Sequence, residues 1–185
     1  MQTRQFTFED AERSVEQNVM PEISNNLASY LDGMNLGDEY REYQPSKVRV
    51  RKLHSHRLPN GALAKELGKY NPFEPAVVYA DPDAFVDAKT ARDVLTHEEI
   101  HKFQHFSGAI GRYAKGLGEH GRIFIEGGAA ALSEDATRQH TDAYPDAKEL
   151  YRELERRVGK RDALLGTTRA IQAAAYILTV YAKAA

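Results

Sequence analysis

His97-Glu98-Glu99-Ile100-His101 has the form H-E-x-x-H and lies in a segment patterned as helix. Two histidines four residues apart stand one above the other on a helix face, so both imidazoles can reach a single ion at ~2.0–2.1 Å. Glu98 is turned by roughly 100° from His97, which keeps its carboxylate near that ion but directs it at a bound water instead of the metal. The spacing therefore predicts zinc, two ligands in His97 and His101, and a general base in Glu98. A catalytic zinc takes three protein ligands and keeps one position open, so a third ligand must come from elsewhere in the chain.

Glu126 is the best candidate, in the stretch Arg122-Ile123-Phe124-Ile125-Glu126-Gly127-Gly128-Ala129. It follows His101 by 25 residues, enough for one helix to end, the chain to reverse and a second helix to return a carboxylate. The small residues after Glu126 let that second helix approach the first closely. The two motifs together resemble the gluzincin metallopeptidases, whose H-E-x-x-H is followed on a separate helix by a glutamate ligand, often as E-G-x-A. The similarity covers about residues 76–135 and is to the minimal single-domain members. It implies a zincin-like fold, zinc held by His97, His101 and Glu126, and peptide hydrolysis by metal-activated water with Glu98 as base.

The chain departs from that pattern at named positions. Glu99 and Lys102 are charged where such enzymes usually carry uncharged residues, while Val94 and Phe103 suit the usual apolar flanks. Four residues after the ligand glutamate, some relatives place an aspartate that braces a ligand histidine; here the residue is Ala130. A metzincin reading is disfavoured, because it needs Gly at position 104 and His at 107, which are Gln104 and Ser107. His105 lies a further turn beyond His101, past the natural two-ligand seat. His120 precedes Glu126 in a glycine-rich stretch and is the alternative third ligand, or an oxyanion donor together with Tyr113, His140 and Tyr144 as other candidates.

The surrounding chain sets the frame for this site. Its 185 residues are 42% hydrophobic and 28% charged, the composition of an ordinary globular domain, and the length predicts one domain over 1–185. A formal net charge of −2 argues against dedicated non-specific nucleic-acid binding. There is no cysteine, so disulfides and thiolate ligands are excluded. The first residues lack an apolar core followed by a cleavage site, and no apolar run is long enough to span a bilayer. A cytoplasmic protein acting on peptide or protein, with no membrane partner, is the expectation.

Positioning elements follow from periodicity. Ala11, Val15, Val19, Ile23, Leu27 and Leu31 repeat every fourth residue and predict a long amphipathic helix over 8–31, capped by Thr7, stopped at Asp32-Gly33 and kinked or divided at Pro21. Val48 and Val50 alternate with Lys47, Arg49 and Arg51, a strand with one wet face. Residues 54–74 suggest a short helix around Ala62 to Leu67 between turns at Pro59-Asn60-Gly61 and Asn71-Pro72. Ala76 to Ala80 is a second strand, and the resemblance to the gluzincins implies that it borders the cleft and pairs with extended substrate.

The zinc helix should run from about Thr90 to Phe106, followed by a long, mobile glycine-rich loop, then the glutamate helix from Ile123 to His140. Two more helices, at 146–158 and 162–183, end the chain. The class is α+β, mostly helical with a small sheet and zincin-like. The basic run Lys47 to Arg57 reads best as the solvated face of an edge strand. His54 and His56, two apart, would face opposite sides of a strand and make a poor metal pair. Beside the peptidase stand two alternatives: a latent or degenerate zinc-binding module, and a zinc protease recruited to nucleic acid through the basic strand.

Overall fold

The computed structural model describes residues 7–43, 45–57, 63–141 and 143–184. The described chain is mostly helical with two small sheets, an α+β arrangement. It divides into two compact units, 1–99 and 100–185, and the division falls inside one continuous helix.

The first unit opens with helix α1 (Phe8–Ser14), a π-helical turn (Val15–Val19) and helix α2 (Met20–Asp32). Thr7 caps α1 by a capping box with Asp10. Pro21 lies in the first turn of α2, where its missing N–H costs least, and the widened turn just before it absorbs the break that the proline imposes. Met20, Ile23, Leu27 and Leu31 form the buried face. The polar stretch after Gly33 holds a short helix, α3 (Gly37–Arg41), whose Tyr40 is buried. A Cβ at Gly37 would lie 2.9 Å from the Ala28 carbonyl oxygen, a backbone atom that cannot turn aside, so the α2–α3 corner favours glycine.

Strand β1 (Lys47–Val50) alternates exposed and buried residues as predicted. It pairs in parallel with β5 (Val77–Ala80), which pairs antiparallel with β4 (Gly68–Tyr70), giving the order β1-β5-β4. The outward N–H groups of the edge strand β1 are not left open: Val48 N donates to Glu16 Oε1 at 3.0 Å and Val50 N to Glu12 Oε1 at 2.7 Å. Carboxylates from the first helical segment thus close an edge that would otherwise pair with another chain.

Two expectations for this unit are corrected. The strand at 77–80 does not offer an edge to substrate, because β1 and β4 occupy both its sides and take its ladder hydrogen bonds. The segment expected as a short helix around Ala62 to Leu67 instead carries β3 (Leu63–Lys65), which pairs antiparallel with β2 (Ser55–Arg57); cross-strand pairing overrides the weak helical pattern. Ala62 and the turn at Pro59-Asn60-Gly61 lie outside the described residues. The turn at Asn71 is present, with Asn71 Oδ1 accepting Phe73 N–H. Asp81 follows β5 and anchors this region, accepting Leu53 N–H at 2.9 Å and Asp83 N–H at 3.0 Å and pairing with Lys65 at 2.7 Å.

Helix α4 (Ala88–Phe106) runs from the first unit into the second. In the second unit follow α5 (Ala109–Leu117), a 3-10 turn (Gly118–His120), α6 (Gly121–Thr137), α7 (Pro145–Val158), α8 (Lys160–Leu165) and α9 (Thr168–Ala184). The glycine-rich stretch is therefore a helix bounded by short joints, not a mobile loop. Of the glycines in this stretch, Gly108 and Gly118 alone have positive φ, at 76° and 60°, and they mark its two ends. Inside the helix glycine serves packing: a Cβ at Gly116 would meet Ile171 Cγ2 at 2.4 Å. The expected final helix is divided at Gly166, whose φ is 59°. Phe103, Tyr113, Phe124, Leu132, Tyr151, Leu154 and Leu164 form the core of this unit. Among the described residues no helix is long and apolar enough to cross a membrane.

Candidate metal centre

The H-E-x-x-H residues lie in the middle of α4, where an unbroken helix fixes their relative directions. Glu126 lies one and a half turns into α6, with Phe124 fully buried beside it to hold the first turns in place. The structure brings His97, His101 and Glu126 together: one ligand atom of each lies within 4.8 Å of the others. His101 Nε2 is 3.2 Å from Glu126 Oε2. Two tetrahedral ligand atoms bonded at ~2.0–2.1 Å stand about 3.3 Å apart, so this pair already has the separation that a shared zinc requires. Two imidazole nitrogens and a carboxylate oxygen are donor types that suit a divalent metal ion, so the group could hold one.

Glu126 is held from both ends of its carboxylate. Oε2 faces His101, while Oε1 lies 3.4 Å from Arg122 Nε, one helical turn earlier. His101 Nδ1 is 2.9 Å from Gln104 Oε1, and Gln104 Nε2 donates to the carbonyl of Ile125 at 3.2 Å. Sequence reasoning missed Gln104. Its one signal is its place three residues after a ligand histidine, a spacing shared by many residues with no such role.

Glu98 is not part of the ligand group. It is 6% exposed, and its Oε2 accepts the backbone N–H of Tyr70 at 2.6 Å. Strand β4 comes this close because Gly68 has no side chain: a Cβ there would lie 2.6 Å from Val94 Cγ1 and 2.7 Å from Glu98 Oε1. The Tyr70 N–H thus takes up one carboxylate oxygen of Glu98. Neither Gly68 nor Tyr70 was visible as a site residue from the sequence. Burial, with the negative charge of Glu99, pushes the Tyr70 hydroxyl up to about 12, so this neighbour stays protonated.

The charged Glu99 is a buttress. It is 1% exposed, accepts Ser46 N–H at 3.1 Å and the Tyr40 hydroxyl at 3.3 Å, and so ties α3 and the start of β1 to α4. Burial and the facing Glu99 raise the Tyr40 pKa, which keeps its hydroxyl a donor. Lys102 is buried as well.

The remaining candidates lie outside the ligand group. His105 stacks on Phe106 with ring centroids 5.5 Å apart. His120 is exposed in the 3-10 turn before α6. Tyr113 is buried and donates to the Ala163 carbonyl at 2.5 Å, and His140 pairs with Glu134 at 2.6 Å. Tyr144 is exposed at the start of α7.

Comparison with models of protein families, with curated proteins and with solved structures finds no match to this chain.

Proposed function

We propose that this protein is a zinc-dependent peptidase of the gluzincin type. The observation that supports the reading is the convergence of His97 and His101, one turn apart on α4, with Glu126 of α6 in a group that could hold a metal ion. Zinc held there would polarise a scissile carbonyl and bring the pKa of a bound water towards ~7. Two neutral imidazoles and one carboxylate leave the occupied site with a net positive charge, which favours that ionisation. Glu98 accepts the proton of the attacking water and returns it to the leaving amine, its carboxylate steadied meanwhile by the Tyr70 N–H. Peptide or protein is the substrate class.

One observation favours a second reading, a latent or degenerate zinc-binding module. Glu98 is almost fully buried, and its Oε2 is engaged by the strand beside it. Zinc content and cleavage of a denatured protein separate the two. The peptidase binds about one zinc per chain and cleaves, whereas Glu98→Gln keeps the zinc and loses cleavage, because an amide cannot accept the proton at neutral pH. A zinc-loaded wild-type chain that leaves denatured proteins intact identifies the module instead. Loss of zinc from Glu98→Gln would make Glu98 a ligand and refute the mechanism.

A further inference from the structure

We infer that Gln104 is the positioning residue of the metal centre: its carboxamide fixes His101 in the tautomer that can bind zinc, doing the work that Ala130 cannot. The inference rests on the metal-centre reading above and goes beyond it, since neither the motif nor the resemblance assigns Gln104 a role.

The orientation of the amide follows from its partners. The Ile125 carbonyl only accepts, so the end of Gln104 facing it must be the NH2 group. The end facing His101 is then the carbonyl Oε1, which also only accepts, and His101 Nδ1 must therefore carry the hydrogen. A neutral imidazole protonated on Nδ1 has its lone pair on Nε2, the atom 3.2 Å from Glu126 Oε2. In that neutral ring the contact sets two lone pairs against each other unless a proton or a metal ion lies between them. The amide thus prepares a pair of acceptors that a metal ion reconciles.

The surroundings enclose Gln104 closely. It is 1% exposed, one turn along α4 from His101. A Cβ at Gly128 would lie 3.1 Å from Gln104 Nε2 and 2.8 Å from the Tyr151 ring, so the second glycine after Glu126 makes room for the amide. The accepting carbonyl belongs to Ile125, next to the ligand Glu126, so one side chain spans from a ligand on α4 to the backbone of a ligand on α6. Partners of this kind change metal affinity by roughly 10–100-fold when removed.

Two substitutions separate tautomer control from simple bridging of the helices. Gln104→Met keeps the length and removes both hydrogen bonds. Gln104→Glu keeps an acceptor for Nδ1–H but puts a second acceptor against the Ile125 carbonyl. Zinc affinity, measured by competition with a chelating dye, should fall about 10–100-fold for Gln104→Met and stay within a few-fold of wild type for Gln104→Glu. In the metal-free chain, imidazole 15N shifts should report the Nδ1–H tautomer of His101 in wild type and its loss in Gln104→Met. Equal affinity of Gln104→Met and wild type, or equal losses in the two variants, overturns the role given to Gln104 and leaves the metal centre standing. A wild-type chain that takes up no zinc overturns both.

Discussion

Gly127 should be the least replaceable residue beside the metal centre, for a reason unconnected with metal chemistry. A Cβ at this position would lie 2.1 Å from the Ala147 carbonyl oxygen, 2.5 Å from its carbon and 3.1 Å from Lys148 N. All three are backbone atoms of α7 and cannot rotate aside. Restoring ordinary contact needs a shift of α7 on the order of 1 Å, in an interior packed too densely to absorb it cheaply. The shift would drag Leu150, Tyr151 and Leu154 out of register with the core. Overpacking of this kind costs ~1–3 kcal/mol, more than the ~1 kcal/mol that alanine gains over glycine in a helix. Gly111 provides the control, since it is exposed, helical and has nothing within 4 Å of its would-be Cβ. Gly111→Ala should therefore show the helix gain alone, up to ~1 kcal/mol of stabilisation. Urea unfolding of the two full-length variants with chelator present, so that zinc linkage does not intrude, should place Gly127→Ala below Gly111→Ala by the overpacking cost, ~1–3 kcal/mol. Equal stabilities, or a stabilised Gly127→Ala, would refute the close approach of α6 and α7.

Acid should weaken the first unit through Asp81. Burial alone would push this carboxyl up, but Lys65 and the N–H groups of Asp83 and Leu53 hold it down at about 2, below the ordinary carboxylate value of 3.8. Because the folded pKa is the lower one, the contribution is fully present above about pH 4, amounts to about 2 kcal/mol there, and is lost as pH falls towards 2. Urea midpoints at a series of acid pH values should show Asp81→Asn less stable than wild type near neutrality and the two converging near pH 2; a constant offset would contradict the assignment. At the metal centre, Glu126→Ala should lower zinc affinity by well over tenfold and His120→Ala should leave it nearly unchanged. The reverse order in side-by-side metal titrations would move the third ligand to His120.

The parts of this protein that could be read from its sequence are those whose geometry is local. H-E-x-x-H needs only the helical repeat to place two imidazoles on one face, and α4 spans Ala88–Phe106 where Thr90 to Phe106 was expected. The alternation of Val48 and Val50 gave β1 its buried side, and Thr7 gave α1 its cap. What was not legible depends on a partner distant in the chain. Nothing within 76–80 tells that β1 and β4 flank β5 on both sides, so an interior strand read as a cleft edge. Glycines between 108 and 121 read as a loop, because glycine permits positive φ and close approach alike, and only Ile171 against Gly116 reveals that packing is its use there.

The supporting residues of the site follow the same rule, with a consequence for function. His97, His101 and Glu98 announce themselves by spacing, yet none can be held still by α4 alone. Glu98 is steadied by a strand N–H, Glu99 by a tyrosine from α3, and His101 by an amide whose other end rests on α6. Ligands are set by a motif, but the rigidity that makes them a centre is distributed over contacts the motif cannot encode. On the proposed reading, that distribution is how the chain can carry Ala130 where some gluzincins place a bracing aspartate. The hydrogen-bond acceptor for His101 need not come from the glutamate helix, provided that some buried group meets Nδ1, and Gln104 meets it from α4 itself.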